Sequence, residues 1–114
     1  MYNMDKYFKS LVKNLKEVQE DFDSYQNEYF PKRNPEFFCL ELNGEAGELA
    51  NIEKKRWKGR EIDDEKFADE AADVLIALMN YSNSRGIDLG DSVFKKLQKI
   101  ESKRVEMAKE GKHF

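Results

Sequence analysis

Glu45 and Glu48 stand three residues apart, and so do Glu70 and Asp73. In an α-helix that spacing sets two side chains about 60° apart around the axis and about 4.5 Å apart along it, so each pair projects from one face. Glu41, one turn before Glu45, adds a further carboxylate on a similar face. Like charges placed this way repel, and the chemistry they serve is cation binding. All-oxygen ligation suits Mg²⁺, with Mn²⁺ as a close substitute. With 23 acidic residues in 114, pairs at this spacing also arise by chance and are then merely solvated. The surroundings separate the two cases. Glu70 and Asp73 enter the most apolar stretch of the chain, Phe67 to Met79, where unpaired carboxylates are costly to desolvate and call for a counter-charge.

Competing metal chemistries lack their ligands. A di-iron bundle uses Glu-x-x-His pairs and zinc uses histidine or cysteine, whereas the one histidine, His113, is near the end of the chain. Cys39, the one cysteine, cannot form an internal disulfide, and its apolar neighbours Phe37, Phe38 and Leu40 predict a buried, inert thiol. Mg²⁺ is commonly held by a few carboxylates together with substrate phosphates, so a carboxylate site with nearby cations points to a nucleotide or another polyphosphate. Lys55 follows Glu48 by seven residues on nearly the same face, and Lys99 and Lys103 offer cations on the last predicted helix. Asn80 continues the face of Asp73, where its amide could bond a sugar or a base edge, and Trp57 could stack on a base. Most single lysines on such a surface only balance nearby acids, and an aromatic at a helix end is more often packing. No Gly-x-x-x-x-Gly-Lys-Ser/Thr loop is present, which excludes a P-loop.

The elements that must hold these residues are helices. A charged fraction of 38% against a hydrophobic fraction of 39% is the balance of solvent-facing helices. Met4, Phe8, Leu11, Leu15, Val18, Phe22, Tyr25 and Tyr29 form a stripe at helical period. Pro31 and Pro35 close that helix and open the next, with Asn34 as its cap. Asp63 or Asp64 caps a third, apolar around most of its circumference and ended by Arg85-Gly86. Asp88 or Asp91 caps a fourth. Gly44 and Gly47 inside the second helix cost about 1 kcal/mol each against alanine, which calls for close approach of a backbone or ligand, or for tight helix packing. The expected architecture is all-α: an antiparallel four-helix bundle-like single domain over 1–114, with helices at about 4–30, 35–58, 65–84 and 89–109, completed by dimerisation. A net charge of −3 with interleaved signs implies no nucleic-acid or membrane partner, and no apolar run is long enough to span a bilayer, so a cytoplasmic protein is expected.

The segments Leu42-Asn43-Gly44-Glu45-Ala46-Gly47-Glu48-Leu49 and Asp69-Glu70-Ala71-Ala72-Asp73-Val74-Leu75, separated by a 21-residue spacer between Glu48 and Glu70, resemble the MazG-like, all-α nucleoside triphosphate pyrophosphohydrolases. The resemblance spans roughly residues 37–104. It implies a helical homodimer or dimer of dimers in which Glu45, Glu48, Glu70 and Asp73 bind Mg²⁺. It also implies hydrolysis of a (deoxy)nucleoside triphosphate to the monophosphate and pyrophosphate, with Glu45 or Glu41 as catalytic base. Gly44 and Asn51 stand where many relatives carry acidic residues, and Lys103 where several carry asparagine. Two alternatives accompany this reading: a phosphoribosyl-ATP pyrophosphatase-like enzyme, and a non-catalytic helical interaction or regulatory module.

Overall fold

The computed structural model describes residues 2–114. Its helices are α1 (Met4–Tyr29), α2 (Pro35–Trp57), α3 (Asp64–Arg85) and α4 (Leu89–Lys109), with no strand among the described residues. The all-α class read from the sequence is therefore correct, and each helix end falls within a residue of its expected position. Local chemistry explains the boundaries. Asn34 Oδ1 accepts the Phe37 N–H at 2.9 Å, and Pro35 occupies the first turn, where its missing donor costs nothing. Asp88 Oδ1 accepts the Asp91 N–H at 3.1 Å to cap α4. Gly86 ends α3 at φ +69°, the left-handed conformation that a side chain resists. No described helix is long and apolar enough to cross a membrane.

The chain divides into two compact units. One combines the chain up to Asp21 with Ile87–Phe114. Here Phe8 of α1 meets Phe94 of α4 edge-on, with ring centroids 4.9 Å apart. At Gly90 the two backbones come so close that a Cβ would stand 3.0 Å from the carbonyl oxygens of both Leu11 and Val12. The most buried position on this part of α1 is Gln19 rather than an apolar residue, while Val18 is 52% exposed. The sequence stripe places Val18 inward. The reason for the difference is the backbone entering α4: Gln19 donates from Nε2 to Ile87 O and accepts the Leu89 N–H at 2.9 Å, satisfying groups that helix geometry leaves without partners.

The second unit, Phe22–Gly86, contains α2 and α3. They run antiparallel, as ion pairs at both ends show: Glu36 with Arg85 at 3.7 Å, and Arg56 with Asp64 at 2.7 Å. Phe38 and Ile52 of α2 and Ala77 and Met79 of α3 form the buried apolar core. The expectation that α3 is packed on several sides is not met within one chain. Ala71, Ala72, Leu75 and Ile76 are exposed, because α2 covers only one of the helix's apolar faces. Cys39 is also exposed, contrary to expectation; Phe38 takes the inward position, and the next residue turns about 100° away. A Cβ added at Gly44 or Gly47 would meet nothing within 4 Å, so neither glycine answers to packing inside the chain.

Candidate metal centre

The antiparallel course of α2 and α3 sets Glu45 against the Glu70–Asp73 pair. One carboxylate oxygen from each of Glu45, Glu70 and Asp73 lies within 4.8 Å of the others. Glu70 is buried, and Asp73 and Glu45 are half-buried. Glu70 Oε1 faces Lys66 Nζ at 3.3 Å, one turn earlier on α3. Glu70 Oε2 and Glu45 Oε2 are buried and accept no hydrogen bond. Two desolvated, unsatisfied carboxylate oxygens beside a third carboxylate make a strongly cation-seeking arrangement. The proton affinity of Glu45 registers this: desolvation raises it most, and the negative charges of Glu48, Asp73 and Glu70 raise it further.

A hard divalent cation fits this donor set. All the donors are carboxylate oxygens, and the unpartnered ones point to where a counter-charge would sit. Glu48 is exposed and lies beside Glu45, outside the three-carboxylate cluster. Glu41 is exposed and also outside it. At the far end of α2, Trp57 is 87% exposed and Lys55 is exposed. In the other unit, Lys99 and Lys103 line an open groove of α4 together with Lys95, and the Lys103 ammonium lies 5.4 Å from the Phe114 ring centroid. Asn80 is 8% exposed and lines a cavity between the end of α1, the start of α2 and the end of α3. Lys66 was not singled out in the sequence, although its position four residues before Glu70 is the usual spacing of a helical ion pair.

Fold and cluster together define a helical domain with a carboxylate-built cation site. The family model of the MazG nucleotide pyrophosphohydrolase domain matches residues 33–107, about two thirds of the chain, including both acidic motifs and all of α2 and α3. The chain belongs to this family of nucleotide pyrophosphohydrolase domains. No curated protein and no solved structure matches the chain at a significant level.

Proposed function

We propose that this chain hydrolyses a nucleoside triphosphate to the nucleoside monophosphate and pyrophosphate, with Mg²⁺, or Mn²⁺ in its place, held by Glu45, Glu48, Glu70 and Asp73. The observation that carries the reading is the convergence of three carboxylates within 4.8 Å, two of them with a buried oxygen that no hydrogen bond satisfies. Bound metal would supply neutralisation of the triphosphate and polarisation of the α-phosphoryl group.

The protein's own groups have distinct tasks. Glu70 and Asp73 stand on the face of α3 that packs on α2, with the core residue Ala77 two turns beyond Glu70, so their oxygens are held before substrate arrives. Lys66 holds Glu70 Oε1 and so aims Oε2 inward. Glu45, with its raised proton affinity, accepts the proton of the water that attacks the α-phosphorus, and the bond from that phosphorus to the α–β bridging oxygen breaks to release pyrophosphate. Glu41, one turn away but outside the cluster, is the alternative acceptor. Lys55 contributes phosphate contact from α2, Trp57 offers a ring face, and Asn80 offers an amide to the nucleoside; Lys99 and Lys103 belong to the other unit and offer cations along α4.

A second copy of the chain is the proposed partner, giving a homodimer or dimer of dimers. Leu40 is 74% exposed, Leu75 48% and Ile76 43%, and the space over Gly44 and Gly47 is open, so α2 and α3 both present apolar faces. The proposed setting is the cytoplasmic nucleotide pool.

The test is pyrophosphate release across a panel of ribo- and deoxyribonucleoside triphosphates and phosphoribosyl-ATP, with and without Mg²⁺. Turnover is expected to require metal and to be lost in Glu48→Ala and Asp73→Ala proteins that retain their helical circular dichroism. Unchanged turnover in those variants would remove the site assignment. Sedimentation velocity tests the dimer, and a monomer at micromolar concentration would overturn it.

A further inference from the structure

The cluster of Glu45, Glu70 and Asp73 is answered by one cation among the described residues. Lys66 Nζ stands 3.3 Å from Glu70 Oε1, and no other described ion pair reaches any of the three carboxylates. The choice of partner is informative. Asp63 and Asp69 are each three residues from Lys66, within reach of its stem, and both are exposed. The ammonium goes instead to the carboxylate whose side chain is only 8% exposed. A charge screened by water attracts weakly and a desolvated one strongly, so Lys66 sits where compensation is most needed. Its own side chain is 54% exposed, which leaves the ammonium a path back to solvent.

The contact uses Oε1 alone. Glu70 Oε2 and Glu45 Oε2 are buried and accept no hydrogen bond, so the cluster stays short of positive charge even with Lys66 in place. A divalent ion held by the same carboxylates would share Glu70 with the ammonium. Two cations on one carboxylate repel, and the lysine, on a flexible four-carbon stem at the surface, is the one free to move. Burial, rather than this half-exposed partner, fixes the Glu70 side chain, so charge decides the sign of the effect that Lys66 has on metal.

We infer that Lys66 is a built-in competitor of the metal: it serves as counter-cation to Glu70 in the metal-free protein and yields that place when a divalent cation enters. Metal uptake is then an exchange of one cation for another, and Lys66 sets the ion concentration at which it happens. Standing one helical turn before Glu70, Lys66 reaches it along α3 and needs no second element to do so. Lys66 belongs to neither acidic motif, and its part rests on the metal site proposed above.

The experiment uses the full chain, stripped with EDTA and dialysed, and two readouts that need no turnover. In isothermal titration with MgCl₂ and with MnCl₂ at fixed ionic strength, Lys66→Gln is expected to bind about three- to tenfold more tightly than wild type, and Lys66→Arg within about twofold of it. Lys109→Gln, which removes the same charge from the other unit, is expected to leave the affinity unchanged. Differential scanning calorimetry in EDTA is expected to place Lys66→Gln about 2–4 °C below wild type, and saturating Mg²⁺ is expected to erase that deficit. A Lys66→Gln protein that binds the ions no more tightly than wild type, an equal gain in Lys109→Gln, or a deficit that persists in Mg²⁺, as a merely structural ion pair would give, overturns the competition. Wild type that binds neither ion overturns the proposed metal site and the competition with it, while the deficit in EDTA would still mark Lys66 as the counter-charge.

Discussion

Glu70 is a buried negative charge whose environment, without metal, works against it, and Glu70→Gln measures by how much. At a separation of up to 4.8 Å, its repulsion with Glu45 and with Asp73 is about 3.5 kcal/mol each at an effective dielectric constant of about 20, and about 0.9 kcal/mol each in bulk water. The attraction to Lys66 at 3.3 Å is about 5 or 1.3 kcal/mol on the same scales, so repulsion exceeds it by about 0.5–2 kcal/mol. The unsatisfied Oε2 adds a desolvation cost that a neutral amide reduces. Glu70→Gln is therefore expected to stabilise the metal-free protein by about 1–2 kcal/mol, which for a chain of 114 residues raises the melting temperature by about 4–8 °C. Mg²⁺ at a hundred times its dissociation constant adds about 2.7 kcal/mol to the wild type. The variant, with one ligand carboxylate neutralised, gains little. The order of the two melting temperatures is thus expected to reverse when Mg²⁺ replaces EDTA in differential scanning calorimetry. A variant that melts below wild type in EDTA, or that gains as much from Mg²⁺ as wild type does, would refute the account of Glu70 as a strained ligand.

Glu45 gives the same strain a pH signature. A carboxyl whose folded-state pKa lies above its unfolded one binds protons better when folded, so its contribution is fully present below the ordinary carboxylate value and is lost as pH rises through the raised one. The melting temperature of metal-free protein is expected to fall through this group as pH rises above the ordinary carboxylate value, and Glu45→Gln is expected to flatten that slope; parallel profiles would count against it. Gly90→Ala would drive a Cβ to 3.0 Å from the Leu11 and Val12 carbonyl oxygens. A destabilisation of about 1–3 kcal/mol is expected in urea titration, and an unshifted midpoint would show that the α1–α4 approach is looser than described. Gln19→Leu removes the partner of both Ile87 O and Leu89 N–H, with an expected loss of about 1–3 kcal/mol and faster amide exchange at Leu89. Exchange unchanged at Leu89 would argue that another group satisfies that turn.

Helix existence and bounds were legible because they are local properties. Pro31, Pro35, Asn34 and Gly86 act within a turn of where they stand, and hydrophobic period needs only a window of the chain. The acidic motifs were legible as two same-face pairs for the same reason. Their meeting was not. That Glu45, rather than Glu48 or Glu41, closes the cluster with Glu70 and Asp73 depends on the rotation of α2 against α3, which the Phe38, Ile52, Ala77 and Met79 packing and the two terminal ion pairs set.

Burial was the least legible quantity. Gln19 is inside and Val18 is not, because a side chain that can bond the Ile87–Leu89 turn is worth more there than apolar area. Cys39, Leu75 and Ile76 have core-like neighbours in sequence and solvent-facing positions in the chain. The sequence by itself determined where helices start and stop and which carboxylates share a face, since each depends on a few consecutive residues. Only the tertiary structure decided which of those carboxylates converge and that Asn80 faces a cavity. Both follow from how two helices rotate and slide against each other, and that depends on all their contacts at once.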